Sequence, residues 1–185
     1  MPAALARCAP WLAALLVACA APPGTSPLDA NRQTPLLRLS PAALGRSLAL
    51  QQQLVVTAAG QTQRVEVLLE AEPDAVRLAV LNLGQTAARL EWDGQRLQET
   101  RAAWWPAAVR GELILSDVQL VWWPADAVRA ALPSGWALRE TPGTRELVER
   151  GEVAAVVRYL SPTEVELDNL RAGYRLGIES IDLTR

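Results

Sequence analysis

The sequence predicts a mainly β (α+β) fold, namely an incomplete antiparallel β-barrel of about ten strands with a helical lid inserted in mid-chain. Apolar and polar residues alternate through most of residues 48–100 and again through 136–183, which is the period of half-buried strands. Residues 104–132 interrupt this alternation and suit helices instead. Because a sheet of about ten strands usually curls, we expect the helices to cover its open side.

The first half of the predicted sheet is a meander that follows a short helix. Ser40-Pro41 is typical of a helix start, and we expect this helix to end near Gly45. Turn signals such as Asp93-Gly94 separate the strands. The strands are predicted over residues 48–58, 64–71, 76–80, 88–92 and 95–100. The apolar positions that we expect to face inward are Val65, Val67, Leu69, Val76, Leu78, Val80, Leu90 and Trp92.

Two helices are predicted between the halves of the sheet, over residues 106–115 and 124–132. Each is opened by a proline that follows a tryptophan pair, since Pro106 follows Trp104-Trp105 and Pro124 follows Trp122-Trp123. Proline is preorganised for the first helical position. Residues 116–121 are either helix or a connecting segment. Glycine and proline then mark the turns of five further strands, which are predicted over residues 136–140, 145–150, 152–160, 163–169 and 173–183.

The N-terminus predicts export and lipid attachment. A short basic start at Arg7 precedes an apolar core, which is typical of a secretory signal and too short to span a membrane. The core ends in Leu16-Val17-Ala18-Cys19, which resembles the lipobox of bacterial lipoproteins. That resemblance implies cleavage before Cys19 and acylation of its thiol and amino group. The alternative is an ordinary secreted protein that is cleaved after Ala18 or Ala20.

The resulting organisation has three parts. Residues 1–18 are a lipoprotein signal peptide, residues 19–35 are the lipidated cysteine and a flexible, proline-rich tether, and residues 36–185 are one folded domain. Ala20 stands where an aspartate favours retention of lipoproteins in the inner membrane, so the resemblance implies the outer membrane, facing the periplasm. Membrane lipid, bound through the Cys19 anchor, is therefore the first expected partner.

The composition excludes several classes of function. Histidine, lysine and phenylalanine are absent, so all 18 basic residues are arginine, and the formal net charge is -2. Without His or Lys there is no Ser–His–Asp triad, no Schiff base and no phosphate-loop lysine, and a slightly acidic chain binds nucleic acid poorly. We expect no enzyme, no cofactor and no metal. Glu164, Glu166 and Asp168 share one strand face, which is either a solvated outer face or, less typically, a Ca²⁺ site.

Several short motifs resemble those of known families. Leu81-Asn82-Leu83-Gly84 and Leu90-Glu91-Trp92-Asp93-Gly94 are similar to the strand–turn–strand region of LolA and LolB, the periplasmic carrier and outer-membrane receptor of lipoproteins. A closer resemblance, over residues 36–185, is to an uncharacterised Gram-negative lipoprotein family known as domain of unknown function 3261. Its recurring features look like Gln51-Gln52, Trp92-Asp93-Gly94, Ile114–Leu120, Trp123-Pro124 and Arg158-Tyr159.

These resemblances imply a half-open barrel, covered by helices, around an apolar cavity that accepts acyl chains. Members of the uncharacterised family often accompany genes for aryl polyene pigments, which implies a polyene as a second kind of ligand. Leu83 matches an exposed loop leucine that helps LolB to insert lipoproteins into the membrane, so Leu83 is the candidate membrane-inserting residue. The alternative is that Leu83 is the last core residue of its strand.

The leading hypothesis is a non-enzymatic outer-membrane lipoprotein that binds acyl chains or a similarly long apolar ligand. Trp105, Trp122 and Trp123 join the inward positions as candidate ligand contacts, and core packing or membrane contact are the other roles open to them. One alternative is a scaffolding lipoprotein that recruits an unknown protein partner, and another is an enzyme acting on lipid or pigment precursors. Whether the barrel interior is a cavity or a filled core stays open.

Overall fold

The structure is a computed structural model that describes residues 33–184. In this part of the chain, ten strands and two α-helices follow a 3₁₀ turn at Pro41–Leu44. The helices are α1 (Gly111–Trp122) and α2 (Ala125–Ala131). The strands are β1 (Leu48–Ala58), β2 (Gln61–Ala71), β3 (Val76–Asn82), β4 (Gln85–Trp92), β5 (Leu97–Arg101), β6 (Trp136–Thr141), β7 (Thr144–Glu149), β8 (Glu152–Tyr159), β9 (Glu164–Asn169) and β10 (Tyr174–Asp182).

The strands form a 10-stranded antiparallel sheet in the order β5-β4-β3-β2-β1-β10-β9-β8-β7-β6. Strands β1 to β5 and β6 to β10 are therefore two meanders, which are joined where the first strand pairs with the last. The edge strands β5 and β6 are not paired with each other, so the sheet is not closed. The predicted fold class is confirmed, and the predicted strands lie within a few residues of the observed ones.

Four connections lie at one end of the sheet, which we call the tip end: β1–β2, β3–β4, β7–β8 and β9–β10. The first three are two-residue turns, namely Ala59-Gly60, Leu83-Gly84 and Arg150-Gly151, and both residues of each turn have positive φ. Such turns match the twist of a hairpin and favour asparagine or aspartate before the glycine. In all three turns, the residue before the glycine is neither asparagine nor aspartate, although it holds a left-handed conformation.

Alternation along the strands separates an inner face of the sheet from an outer face. On β2, Val67 and Leu69 are buried, whereas Glu66, Leu68 and Glu70 are exposed. Strands β3 and β4 repeat this pattern. The inner face packs against α1 and against the chain that precedes β1, and these contacts form the hydrophobic core.

The helices begin later than predicted. The helix expected over residues 106–115 is wrong before Gly111, where α1 starts, and α1 then continues through residues 116–121. Gly111 makes a close tertiary contact, because a Cβ there would lie 2.5 Å from Leu90 Cδ2. Glycine thus lets the first turn of α1 lie directly on β4. Pro124 is the N-cap of α2 rather than its first residue.

The predicted signal peptide, Cys19 and most of the predicted tether lie outside the described residues, so these features stay predictions. The part of the tether that the structure describes contacts the domain. Arg110 donates a hydrogen bond to the Gln33 side chain at 3.2 Å, and Asn169 Nδ2 donates to Thr34 Oγ1 at 3.4 Å. The described chain therefore starts beside the N-terminal end of α1 and the tip end of the sheet.

Replacing Leu69 with alanine should lower the free energy of unfolding by about 2–5 kcal/mol, because the change leaves a cavity in the core. The matched control is Leu68→Ala, since Leu68 is the next residue of β2 and is 41% exposed on the outer face. We expect this control to change stability by less than about 1 kcal/mol. Urea unfolding measures both, and equal losses would contradict the assignment of the two faces.

Candidate functional site

The structure brings the predicted ligand residues together on the inner face. Val65 is partly buried, and the other inward positions predicted on β2, β3 and β4 are no more than 6% exposed. Trp123 is fully buried, while Trp105 and Trp122 are partly buried against the same core. The predicted set is therefore a spatial cluster, with α1 as its cover.

The space between this cluster and α1 is nearly filled. A cavity of about 10 Å³ remains where α1 faces β3 and β4, which is about the space that one water needs. In the described conformation the interior is a packed core here, and a long ligand enters only if α1 or its neighbours move. The lining is apolar and comprises Val76, Leu78, Leu90, Trp92, Leu97, Leu115 and Val118.

A larger hollow of about 420 Å³ lies on the outer face of β2 to β5. Charged side chains line it, including Arg77, Arg89 and Glu91. Arg77 and Glu91 also form an exposed ion pair at 3.6 Å, and such pairs contribute little to stability. With these charges on its wall, the hollow suits an acyl chain less well than the apolar inner face does.

The segment Pro35–Ser40, which we call the strap, runs along α1 and has hydrogen bonds to its side chains. The Leu37 amide donates to Ser116 Oγ at 3.0 Å, and the Leu39 amide donates to Gln119 Oε1 at 2.9 Å. Gln119 is fully buried, and Ser116 is 7% exposed. Buried backbone amides need acceptors. Ser116 and Gln119 therefore accept the hydrogen bonds that the carbonyl groups of a neighbouring strand accept within the sheet.

The carbonyl group of Leu39 accepts two hydrogen bonds from uncharged donors. Gln119 Nε2 lies 3.0 Å from the Leu39 oxygen, and Trp92 Nε1 lies 2.8 Å from it. Trp123 Nε1 donates to the Ser40 oxygen next along the strap at 3.1 Å. Leu37 is 2% and Leu39 is 8% exposed, so the strap contributes both leucines to the hydrophobic core.

The C-terminal end of α1 is fixed by side chains from β7 and β8. Arg145 Nη1 donates to the carbonyl oxygens of Leu120 at 3.1 Å and Trp123 at 2.7 Å, and the Tyr159 hydroxyl donates to Val121 at 2.7 Å. A cation at the helix C-terminus also complements the helix dipole. Burial raises the pKa of Tyr159. The arrangement anchors this end of α1 to the second meander.

A titratable group lies on α1 where the helix faces β10. The Tyr174 hydroxyl donates to Asp117 Oδ2 at 2.6 Å and accepts from Asn169 Nδ2 at 3.1 Å. Burial raises the pKa of Asp117 to about 7, although the hydrogen bond from Tyr174 acts in the opposite direction. Burial and the neighbouring carboxyl raise the pKa of Tyr174 as well. The Asp117 charge is thus unfavourable in the folded state.

Leu83 lies in the β3–β4 turn with φ of 49° and is 97% exposed. The alternative that Leu83 is the last core residue of its strand is therefore wrong, because the turn directs its side chain into solvent. A second exposed leucine, Leu170, follows β9 at the same end of the sheet and is 59% exposed. The tip end thus presents apolar side chains that no described residue covers.

The remaining sequence candidates have structural roles. Trp104 is 50% exposed and packs edge-on against Trp105 at 6.5 Å between ring centroids. Asp168 lies nearly buried between Arg158 and Arg175, whose hydrogen bonds lower the pKa of its carboxyl. The strand face that Glu164, Glu166 and Asp168 share is therefore ion-paired at Asp168 and not wholly solvated.

Sequence reasoning missed the polar contacts of α1. Ser116 and Gln119 lie within the motif that carried the family resemblance, yet their partners are 79 and 80 residues away in the chain. Asp117 and Tyr174 are 57 residues apart. No local period or spacing indicates such pairs, so these contacts follow only from the tertiary arrangement.

Two kinds of feature are absent from the part of the chain that the structure describes. No group of three or more His, Cys, Asp or Glu side chains in residues 33–184 is placed to hold a metal ion. Within the same range, no helix has the length and apolar character needed to cross a membrane.

Comparison with known proteins gives one family and a distant structural likeness. The sequence model of the family described as protein of unknown function (DUF3261) matches residues 49–182. No curated protein matches the chain. Among solved structures, the chain is similar to a DUF1329 family protein from Desulfovibrio piger, with a TM-score of 0.35 and 7% identity over 76% of this chain and 87% of that one.

Replacing Asp117 with asparagine should stabilise the domain most at alkaline pH. The folded state keeps the Asp117 proton up to about pH 7, whereas the unfolded chain loses it near the ordinary aspartate pKa of 3.8. The carboxyl therefore lowers the free energy of unfolding progressively as pH rises through this window. Asparagine accepts the same hydrogen bond from Tyr174 without a charge.

Urea unfolding from about pH 4 to about pH 8 measures this difference. The variant and the wild type should be nearly equal at the acidic limit and should diverge as pH rises. Asp126→Asn, at a side chain that is 96% exposed, controls for the loss of one negative charge. A constant offset between Asp117→Asn and the wild type at every pH would show that Asp117 does not titrate in this way.

Proposed function

The chain belongs to the family described as protein of unknown function (DUF3261), and from this premise we propose that it is a lipid-anchored envelope protein that binds one acyl chain or a similarly long apolar ligand. The ligand lies between the inner face of the sheet and α1. Cys19 carries the anchor, and the outer membrane, facing the periplasm, is the proposed location. No reaction and no cofactor form part of the proposal.

One observation carries the proposal: the apolar inner face of an unclosed sheet is covered by two short helices and the strap. Such a cover can move without breaking any hydrogen bond of the sheet. Apolar burial, at about 25 cal/mol per Å², supplies the free energy for a long aliphatic ligand. In the filled conformation, the side chains of this cover occupy the space of that ligand.

Leu83 supports contact with a membrane. A left-handed leucine is strained by about 1 kcal/mol or more, and its 97% exposure gives no compensating burial within the domain. Entry of the side chain into a lipid layer buries the leucine, and this burial offsets the cost of the strained backbone. Since the described chain starts near the tip end, an anchor at Cys19 is compatible with this end facing the membrane.

A scaffolding lipoprotein is the second candidate, and the packed interior favours it. If the core stays filled, the exposed leucines at the tip end are left to bind a protein partner rather than lipid. Native mass spectrometry of protein purified from a Gram-negative envelope, before and after addition of palmitate, separates the two. One bound lipid or palmitate per chain supports the first function, whereas a mass without ligand under both conditions overturns it and favours the scaffold.

Replacing Leu83 with asparagine should raise stability and weaken membrane binding in the same variant. Asparagine suits the first position of this turn, so we expect a gain of about 0.5–1 kcal/mol. Loss of one buried leucine, worth about 1.5–3 kcal/mol, should weaken binding to phosphatidylethanolamine–phosphatidylglycerol vesicles about tenfold or more. Vesicle flotation of chains that also carry Cys19→Ser removes the contribution of the anchor.

Ala59→Asn is the matched control, because Ala59 holds the equivalent position of the β1–β2 turn with φ of 48°. This variant should gain similar stability and bind vesicles as the wild type does. Unchanged vesicle binding by Leu83→Asn would remove Leu83 from the membrane contact, and an equal loss in both variants would point to a general effect of the turns.

A further inference from the structure

Two donors of the core are aimed at one carbonyl oxygen that belongs to no strand or helix. Gln119 Nε2 and Trp92 Nε1 both donate to Leu39 O, at 3.0 and 2.8 Å. Gln119 is fully buried and Trp92 is 3% exposed. Within residues 33–184, every buried side-chain nitrogen and oxygen has a hydrogen-bond partner. If the strap left, these donors would therefore need another acceptor.

The strap contributes apolar groups to the core, as a bound acyl chain would. Its Leu37 and Leu39 side chains are in the same hydrophobic core as the inner face, while its backbone is held by side chains, including Trp92, and not by the pairing of a strand. Detaching it breaks these side-chain hydrogen bonds but no pairing of the sheet. The strap can therefore leave while every strand keeps its neighbours.

Resting on the proposed function, we propose that the strap is a built-in competitor for the ligand, and that the ligand is an acyl ester whose carbonyl oxygen replaces the carbonyl oxygen of Leu39. The acyl tail takes the space of the Leu37 and Leu39 side chains. Both donors are uncharged, so a neutral ester carbonyl suits them better than a carboxylate, which retains a stronger need for water. The ligand class is therefore an ester of a single fatty acid.

Two variants separate the strap from the ligand. Ser116→Ala removes the acceptor of the Leu37 amide and leaves both donors to the carbonyl in place, so the strap weakens and the ester does not. Trp92→Phe removes one donor from the strap and from the ester alike, because Trp92 Nε1 donates to the Leu39 oxygen. We expect Ser116→Ala to bind monolauroylglycerol about tenfold more tightly than the wild type, and Trp92→Phe to show no such gain.

Val165→Ala controls for general loosening of the core, because Val165 lies on β9 and is 3% exposed. Titration calorimetry of the full chain and these variants with monolauroylglycerol gives the affinities. Equal gains by Ser116→Ala and Val165→Ala would overturn the competitor, since any destabilised core would then admit the ester.

Hydrogen exchange of the wild type tests displacement directly. With saturating monolauroylglycerol, the Leu37 and Leu39 amides and the Trp123 indole should exchange at least tenfold faster, because they lose their strap contacts. The Trp92 indole should stay protected, because the ester carbonyl replaces its acceptor. Binding with all four groups still protected would overturn the strap inference and leave the proposed function intact, whereas no binding by the wild type or Ser116→Ala would overturn both.

Discussion

The inner face of the sheet has to be kept from water although the sheet does not close. Edge strands β5 and β6 remain apart, so the apolar residues between them need a cover that brings no further strand. Helix α1 supplies it, and Gly111 lets its first turn approach Leu90 more closely than any side chain would permit. The filled core and the docking of the strap follow from this need.

A cover made of helices and one irregular segment creates a second requirement, because it contains backbone groups without a sheet partner. Ser116 and Gln119 satisfy the strap, and Arg145 satisfies the last carbonyls of α1. Polar side chains on α1 are therefore needed inside an apolar core. Asp117 differs from them, because its hydrogen bond with Tyr174 does not offset the burial of a charge.

The sequence could predict what repeats along the chain. Alternating burial repeats every two residues, so the strands and their inward residues were recognisable, and the family resemblance is confirmed by the match over residues 49–182. The close contact between Gly111 and Leu90 is tertiary, and the strap has no period at all. The sequence left Leu83 open between an exposed loop residue and the last core residue of its strand, and the turn decides its exposure. Cys19, the location and the ligand stay predictions.

The pairing of the first strand with the last has a consequence for how the chain acquires its structure. Each meander forms from neighbours in the sequence, whereas β1 meets β10 through pairs such as Gln52 and Ser180, 128 residues apart. Distant pairings of this kind slow folding, because a long loop has to close first. Strand β1, with 11 residues, is made early and keeps one edge unpaired until the end of the chain emerges. During synthesis the protein thus exposes one of its longest strands to aggregation, which makes rapid delivery of the C-terminus a condition for correct folding.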